Sequence, residues 1–181
     1  MPPTKVMLIR HGEKQLNGPP VGVTEDGTED KHSLIVRGWQ RAGALIPFFS
    51  RPNDPRIATP TTIYASKVGD QELLVDGRDI SKSLRPQETV TPLARKLNLT
   101  VNIPHCVGEE AQLVAQIRAG NGVVLISWEH NHIPLIAQPL CPSAPANWPE
   151  HRFDVVWLLD FAVDGTCAFT QIDQSLLAGD A

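Results

Sequence analysis

The chain is short of cysteine, of basic charge and of long apolar runs, and each shortage excludes something. Three cysteines occur in 181 residues, Cys106, Cys141 and Cys167, scattered along the chain. Their odd number and wide spacing match neither a disulfide framework nor a close metal-ligand cluster, a usage expected in a reducing cytosol. Lysine and arginine total 16 against 20 aspartates and glutamates, a formal net charge of -4. An acidic surface does not attract nucleic acid or an anionic membrane, so neither is expected as a partner. A local basic pocket remains compatible with that balance. Apolar runs such as Val155-Val156-Trp157-Leu158-Leu159 fall far short of the roughly 18 residues of a membrane span. No charged start followed by an apolar stretch opens at Met1, so a secretory signal is not expected and the cytoplasm is the expected location. Internal repeats and low-complexity tracts are also lacking.

What the chain does have is proline, 16 of 181 residues, about twice the usual roughly 5%. A uniformly helical bundle is thereby excluded. At 41% hydrophobic residues, the length suits one domain over residues 1–181, large enough to bury a substantial core. Val6–Ile9, Thr62–Ala65 and Val123–Ile126 are apolar runs that stop abruptly in polar residues. Continuous rather than alternating runs are expected of strands covered on both faces. Between them, Leu34, Gly38, Ala42, Leu45, Ile46 and Phe49 recur at helical spacing, with Ser33 placed as an N-cap. Val90, Leu93, Ala94 and Leu97 do likewise after Pro86, with a break or kink expected at Pro92. Leu113, Val114 and Ile117 form a third stripe before Gly120 and Gly122. Asp154–Phe161 and Cys167–Ile172 flank Asp164-Gly165 and read as an antiparallel edge hairpin. The pattern predicts a three-layer α/β/α sandwich with a mainly parallel central sheet. Residues Lys14–Lys31 and Gln138–Arg152 are left as long loops, a length usually reserved for functional rims.

In open α/β sheets, ligands bind beyond the carboxyl ends of the strands. Those ends carry Arg10-His11, Ser66-Lys67 and Glu129-His130, and Arg85 stands just before a predicted helix. Two histidines and two arginines at one sheet edge suit a phosphoryl group. Arginine matches phosphate oxygens with paired hydrogen bonds, and imidazole serves as nucleophile or donor.

These residues also carry a resemblance. Leu8-Ile9-Arg10-His11-Gly12-Glu13 resembles the arginine-histidine-glycine motif of the histidine phosphatase superfamily, the phosphoglycerate mutase-like group. Leu34 through Gly38 to Arg41-Ala42 resembles its first-helix motif, and Tyr64-Ala65-Ser66 its second strand end. Ser83, Arg85 and Thr89 resemble the segment of its second phosphate arginine, and Trp128-Glu129-His130 with Ile133 that of its second histidine. The match runs in family order over residues 5–137.

The resemblance implies a phosphatase that hydrolyses phosphomonoesters through a phosphohistidine on His11. Arg10, Arg85 and His130 hold the phosphoryl oxygens in that scheme, which uses neither metal nor other cofactor. Asn17 stands at the offset of an extra phosphate contact. One family branch places an aspartate directly after the second histidine, but here that residue is Asn131. The other branch takes its proton donor from the segment that here contains Glu109 and Glu110. Both also read as carboxylates favoured at a helix N-terminus. Glu13 and Glu129 read as partners that orient the histidines or arginines. The expected partner is a small phosphorylated substrate or a phosphoprotein. A mutase-like phosphotransferase and a non-catalytic phosphate-binding module are the alternatives, the first disfavoured by the short chain.

Other residues have plainer readings. His130 and His132 flank Asn131 and invite a zinc site, but no carboxylate- or cysteine-rich segment completes it. Arg37 and Arg41 read as the solvent side of an amphipathic helix, Lys67 as a strand-end charge, and Trp128 and Trp148 as packing or pocket walls. His32, His105 and His151 receive no role.

Overall fold

A computed structural model of the chain describes residues 3–16, 18–75 and 78–181. Val6, Met7, Leu8 and Ile9 are all fully buried, as a strand with both faces covered must be, and they form the centre of β1 (Pro3–Arg10). Further along run α1 (Val36–Ser50), β2 (Thr62–Ala65), the short pair β3 (Leu74–Val75) and β4 (Arg78–Asp79), and α2 (Arg85–Leu97). Then come β5 (Val101–Asn102), α3 (Glu110–Ala119), β6 (Gly122–Trp128), α4 (Ile133–Leu140), β7 (Val155–Phe161) and β8 (Cys167–Asp173).

Six strands share one sheet in the order β5-β2-β6-β1-β7-β8. Strands β5, β2, β6 and β1 are parallel, while β7 pairs antiparallel with β1 and β8 antiparallel with β7. The fold is thus a mostly parallel α/β sandwich with an antiparallel edge hairpin, as the strand patterns predict. Alternate residues of β1 feed two cores. Met7 and Ile9 meet Leu45 and Phe49 of α1 and Val90 and Leu93 of α2. Val6 and Leu8 lie with Leu113 and Ile117 of α3, Ile136 of α4, and Trp148 and Trp157.

Several local expectations change. Pro92 neither splits nor ends α2, which runs unbroken to Leu97 and closes on Asn98 in the left-handed region at φ 54°. Thr89 and Thr91 within it donate to the carbonyls of Arg85 (2.7 Å) and Gln87 (2.8 Å). Ser33 does not cap α1, which begins at Val36; its hydroxyl donates instead to Asp30 Oδ2 at 2.9 Å. The loop expected from Gln138 begins only at Cys141, because α4 continues to Leu140 through Pro139. Proline at the second helical position, Pro134, needs no donor there, which is why this segment tolerates it.

The cysteines overturn their expectation. Cys141 and Cys167 are joined by a disulfide with Cα atoms 5.3 Å apart, tying the end of α4 to β8. Spacing alone hid the pair, because the two are brought together only when α4 packs under the edge hairpin. The cross-link removes the cysteine argument for a reducing compartment, since disulfides persist in oxidising surroundings. No helix among the described residues is long and apolar enough to cross a membrane.

Thiol titration tests the pairing. Denatured without reductant, the chain should yield one thiol, Cys106, and after reduction all three. Replacing Cys141 by serine should lower unfolding stability by about 2–4 kcal/mol in urea titrations.

Candidate functional site

The parallel strands deliver the predicted residues to one edge. Arg10 is paired with Trp128 across β1 and β6, and Ala65 with Ser127 across β2 and β6. The next backbone step keeps the register, because His11 N–H donates to Trp128 O at 3.2 Å. Arg10-His11 and Glu129-His130 therefore leave neighbouring strands side by side. Arg85 opens α2, and its segment is joined to the first motif when Gly12 N–H donates to Thr89 Oγ1 at 2.8 Å.

His11 is 2% exposed. Burial first, and then the charges of Arg10, Arg85 and Lys14, hold its imidazole well below the usual histidine range. The ring is therefore neutral near pH 7. Its Nδ1 lies 2.8 Å from Gly12 O, a contact that places the proton on Nδ1 and leaves the Nε2 lone pair open. Arg10 is also buried, and desolvation brings it down to about 10 despite the attraction of Glu129 and Glu13. Its Nε and Nη1 have no hydrogen-bond partner among the described residues. Arg85 is held by its own surroundings: Nε donates to Ser33 O (3.2 Å), Nη1 to Ser83 Oγ (3.2 Å) and Nη2 to Lys31 O (2.6 Å).

The carboxylates divide into separate tasks. Glu129 is buried, accepts from Asn131 N–H at 2.8 Å, and places Oε1 2.5 Å from Nδ1 of His130. That approach is ion-pair close without hydrogen-bond alignment. Burial raises the Glu129 carboxyl, but His130 outweighs it and the net direction is down. Glu110 Oε1 accepts from Trp128 Nε1 (2.9 Å) and Gly108 N–H (2.9 Å) and meets His132 Nδ1 at 3.0 Å. Desolvation is again outweighed, chiefly by His132, so Glu110 is lowered while His132 is raised. Glu109 is half exposed and accepts from Cys106 N–H at 2.7 Å. Asn17 lies outside the described residues.

Glu13 does partner arginines, as its sequence reading expects, but sequence patterning missed the fate of Arg41. Arg41 is not a surface residue but 1% exposed. It donates to Glu13 through Nε (3.1 Å) and Nη2 (2.7 Å), and to Gln174 (2.9 Å) and Asp180 (2.8 Å). Half-exposed Arg37 joins the same Glu13 and Asp180. Against the cost of burial, these partners raise Arg41 and pull Asp180 down to about 2. The helix periodicity does contain a signal, since position 41 lies one turn from buried Gly38 and Leu45. Gly38 itself is required by close approach: a Cβ there would sit 2.5 Å from Glu13 O. Glu88, also unmarked by sequence, accepts from Leu34 N–H at 2.8 Å and is raised by burial beside Arg85.

Both long loops border the site. A cavity of about 540 Å³ has Gln15, Leu16, Lys31 and His32 beside Arg85. Another of about 300 Å³ sets Asn147, Trp148 and Glu150 beside His130. Trp128 and Trp148 are buried with their N–H groups bonded, Trp148 to Arg152 O at 2.9 Å. Exposed Lys67 keeps its plain reading, and no group of three or more metal-ligating side chains gathers among the described residues.

Two stability measurements follow from these networks. Asp180→Asn should cost about 1.5–3 kcal/mol at neutral pH, the worth of bonds to a charged partner. Because the folded Asp180 value is depressed, its contribution is present above 3.8 and lost as pH falls toward about 2. The gap between wild type and variant should close over that window in acid titrations. Glu110→Gln tests the raised His132. The pair contributes fully below 6.5 and fades as pH rises through the higher folded value. The wild-type advantage should therefore be widest between 4.5 and 6.5 and narrow above.

No protein-family model matches the chain, and no curated protein matches it. Its shape is similar to solved structures. One is the protein histidine phosphatase SixA complexed with tungstate, at 15% identity over 94% of this chain and 97% of that one, TM-score 0.57. A second is mycobacterial glucosyl-3-phosphoglycerate phosphatase complexed with VO3, at 15% identity over 96% and 100%, TM-score 0.53. A third is a phosphoserine phosphatase mutant from Entamoeba histolytica in complex with phosphoserine, at 16% identity over 95% and 97%, TM-score 0.54. Identities this low speak to architecture alone, and on that ground the chain has the phosphoglycerate mutase-like α/β fold of these structures.

Proposed function

We propose that the chain is a phosphatase that hydrolyses phosphomonoesters by way of a phosphohistidine on His11, without a metal. The observation that carries this reading is a buried imidazole kept neutral beside Arg10, whose Nε and Nη1 have no hydrogen-bond partner among the described residues. A neutral imidazole is a nucleophile, and a buried guanidinium with open donors is a receptor for phosphoryl oxygens. The fold adds support, since the similar structures named above are phosphatases and two of them hold an oxyanion.

In the first step, Nε2 of His11 attacks phosphorus as the bond to the leaving oxygen breaks. Nδ1–H stays on Gly12 O throughout, so the ring gains its charge with a hydrogen bond already in place. Arg10, Arg85 and His130 face the charge spread over the non-bridging oxygens and stabilise it more in the transition state than in the ester. In the second step water attacks phosphorus, the N–P bond breaks, and inorganic phosphate leaves.

The leaving oxygen needs a proton and the attacking water must lose one. Glu110 is engaged by Trp128 and His132, Glu13 by Arg37 and Arg41, and Glu109 by the Cys106 backbone. Geometry favours the Glu129–His130 pair for both transfers. Glu129 lies against Nδ1 of His130, so Nε2 is the ring nitrogen left to face the leaving oxygen and the water.

Turnover of p-nitrophenyl phosphate tests the reading. His11→Ala should lose at least about 10³-fold in kcat, and Arg10→Ala or Arg85→Ala about 10²–10³-fold. Since His11 titrates well below 6.5, no activity limb near that pH should belong to it. An acid-labile phosphoenzyme should be trapped in wild type, and a chelator should leave the rate unchanged. Equal, negligible turnover by wild type and His11→Ala would instead favour a phosphate-binding module. With poor leaving groups, Glu129→Gln should be slowed selectively, more than Glu109→Gln or Glu110→Gln.

A further inference from the structure

One side chain beside the site takes no part in that scheme. Phe153 lies half-buried at the end of the proline-rich loop, one residue before buried Asp154. Its ring centroid is 3.7 Å from Cζ of Arg10 and 6.1 Å from the His11 ring, inclined at 56° to it. The first distance is well within the roughly 6 Å reach of cation–π attraction.

This contact resolves how Arg10 is oriented. A buried arginine is normally aimed by acceptors along the edge that bears its five donors. Arg41 illustrates that solution, with Glu13, Gln174 and Asp180 around it. Arg10 does otherwise. Glu129 and Glu13 attract its charge, yet Nε and Nη1 donate to neither. An arginine meant to grip phosphoryl oxygens must keep that edge open, so its orienting contact has to come from the face. Phe153 supplies a face contact that consumes no donor.

The backbone under Phe153 is pinned on both sides. Arg152 O accepts Trp148 Nε1 at 2.9 Å, and the Arg152 guanidinium pairs with Asp154 and Asp173. Asp154 O accepts Gln174 N–H at 2.7 Å, and its Oδ2 accepts Ala181 N–H at 2.8 Å. The backbone that carries the ring is therefore held before any ligand arrives, which lowers the ordering cost of binding.

We propose that Phe153 is a positioning residue: its ring sets the plane of the Arg10 guanidinium and leaves the N–H edge to a tetrahedral oxyanion. The ligand class rests on the phosphatase reading. The role of the ring is separable from turnover.

The test compares Phe153→Leu and Phe153→Tyr with wild type for inorganic phosphate binding by calorimetry and for p-nitrophenyl phosphate turnover. Leucine keeps apolar bulk without a π face, while tyrosine keeps the face. Phosphate affinity and kcat/KM should both fall about tenfold in Phe153→Leu and return to near wild type in Phe153→Tyr, with matching thermal midpoints. Leucine performing as well as phenylalanine overturns the proposal, and so does equal loss in the leucine and tyrosine variants. Wild type that binds phosphate but hydrolyses no ester defeats the phosphatase reading, while the binding comparison still decides the role of Phe153. Wild type that binds no phosphate overturns both.

Discussion

Everything at this site depends on keeping one imidazole neutral while positive charge is stacked around it. His11 is buried, and Arg10, Arg85 and Lys14 all disfavour its protonation. In the proposed phosphatase, the same cations that suppress the imidazolium would also attract a dianion, so one electrostatic arrangement would serve both nucleophile and ligand. Its cost is visible in Arg10, which loses basicity through desolvation. A chain of net charge -4 can hold such a pocket because burial focuses the local field, whatever the sign of the distant surface.

The carboxylates keep that field from being cancelled. A glutamate placed against Arg10 in a tight pair would occupy the donors at Nε and Nη1, which the proposed function assigns to an oxyanion. Glu13 is drawn away by Arg41 and Arg37, and Glu110 is drawn away by Trp128 and His132. Arg41 in turn is shared with Asp180, so the loop after His11 is braced by residues near the far end of the sequence. Gly12 and Gly38 allow the helix backbone to approach this loop closely. Packing density and charge placement therefore support each other.

The proline excess finds a physical place in the same scheme. Pro134 and Pro139 lie in α4, directly after His130, and Pro86 lies in the first turn of α2, directly after Arg85. Proline suits the first turn of a helix, where its missing donor is not needed. The rest of the carboxyl-side loop, with Pro142, Pro145 and Pro149, runs from the disulfide at Cys141 to the pinned backbone at Phe153. It lines the cavity beside His130.

By itself the sequence determined the strands β1, β2 and β6, the helices α1 to α3, the edge hairpin and the residues that stand at the strand ends. Apolar runs, helical stripes and the Arg10-His11-Gly12 pattern are local, and local pattern dictates secondary structure and side-chain chemistry. It placed a loop from Gln138 where α4 continues through Pro139 to Leu140, because tertiary packing outweighed the local tendency of proline to break a helix. Only the folded chain decided the rest. Arg41 reads as amphipathic surface until Glu13 and Asp180 are brought to it from 28 and 139 residues away. Cys141 and Cys167 read as unrelated until the edge hairpin closes over α4. Phe153 carries no motif at all, and its contact with Arg10 exists because β7 pairs with β1. Partners distant in sequence are fixed by sheet order and helix packing, which no local pattern encodes.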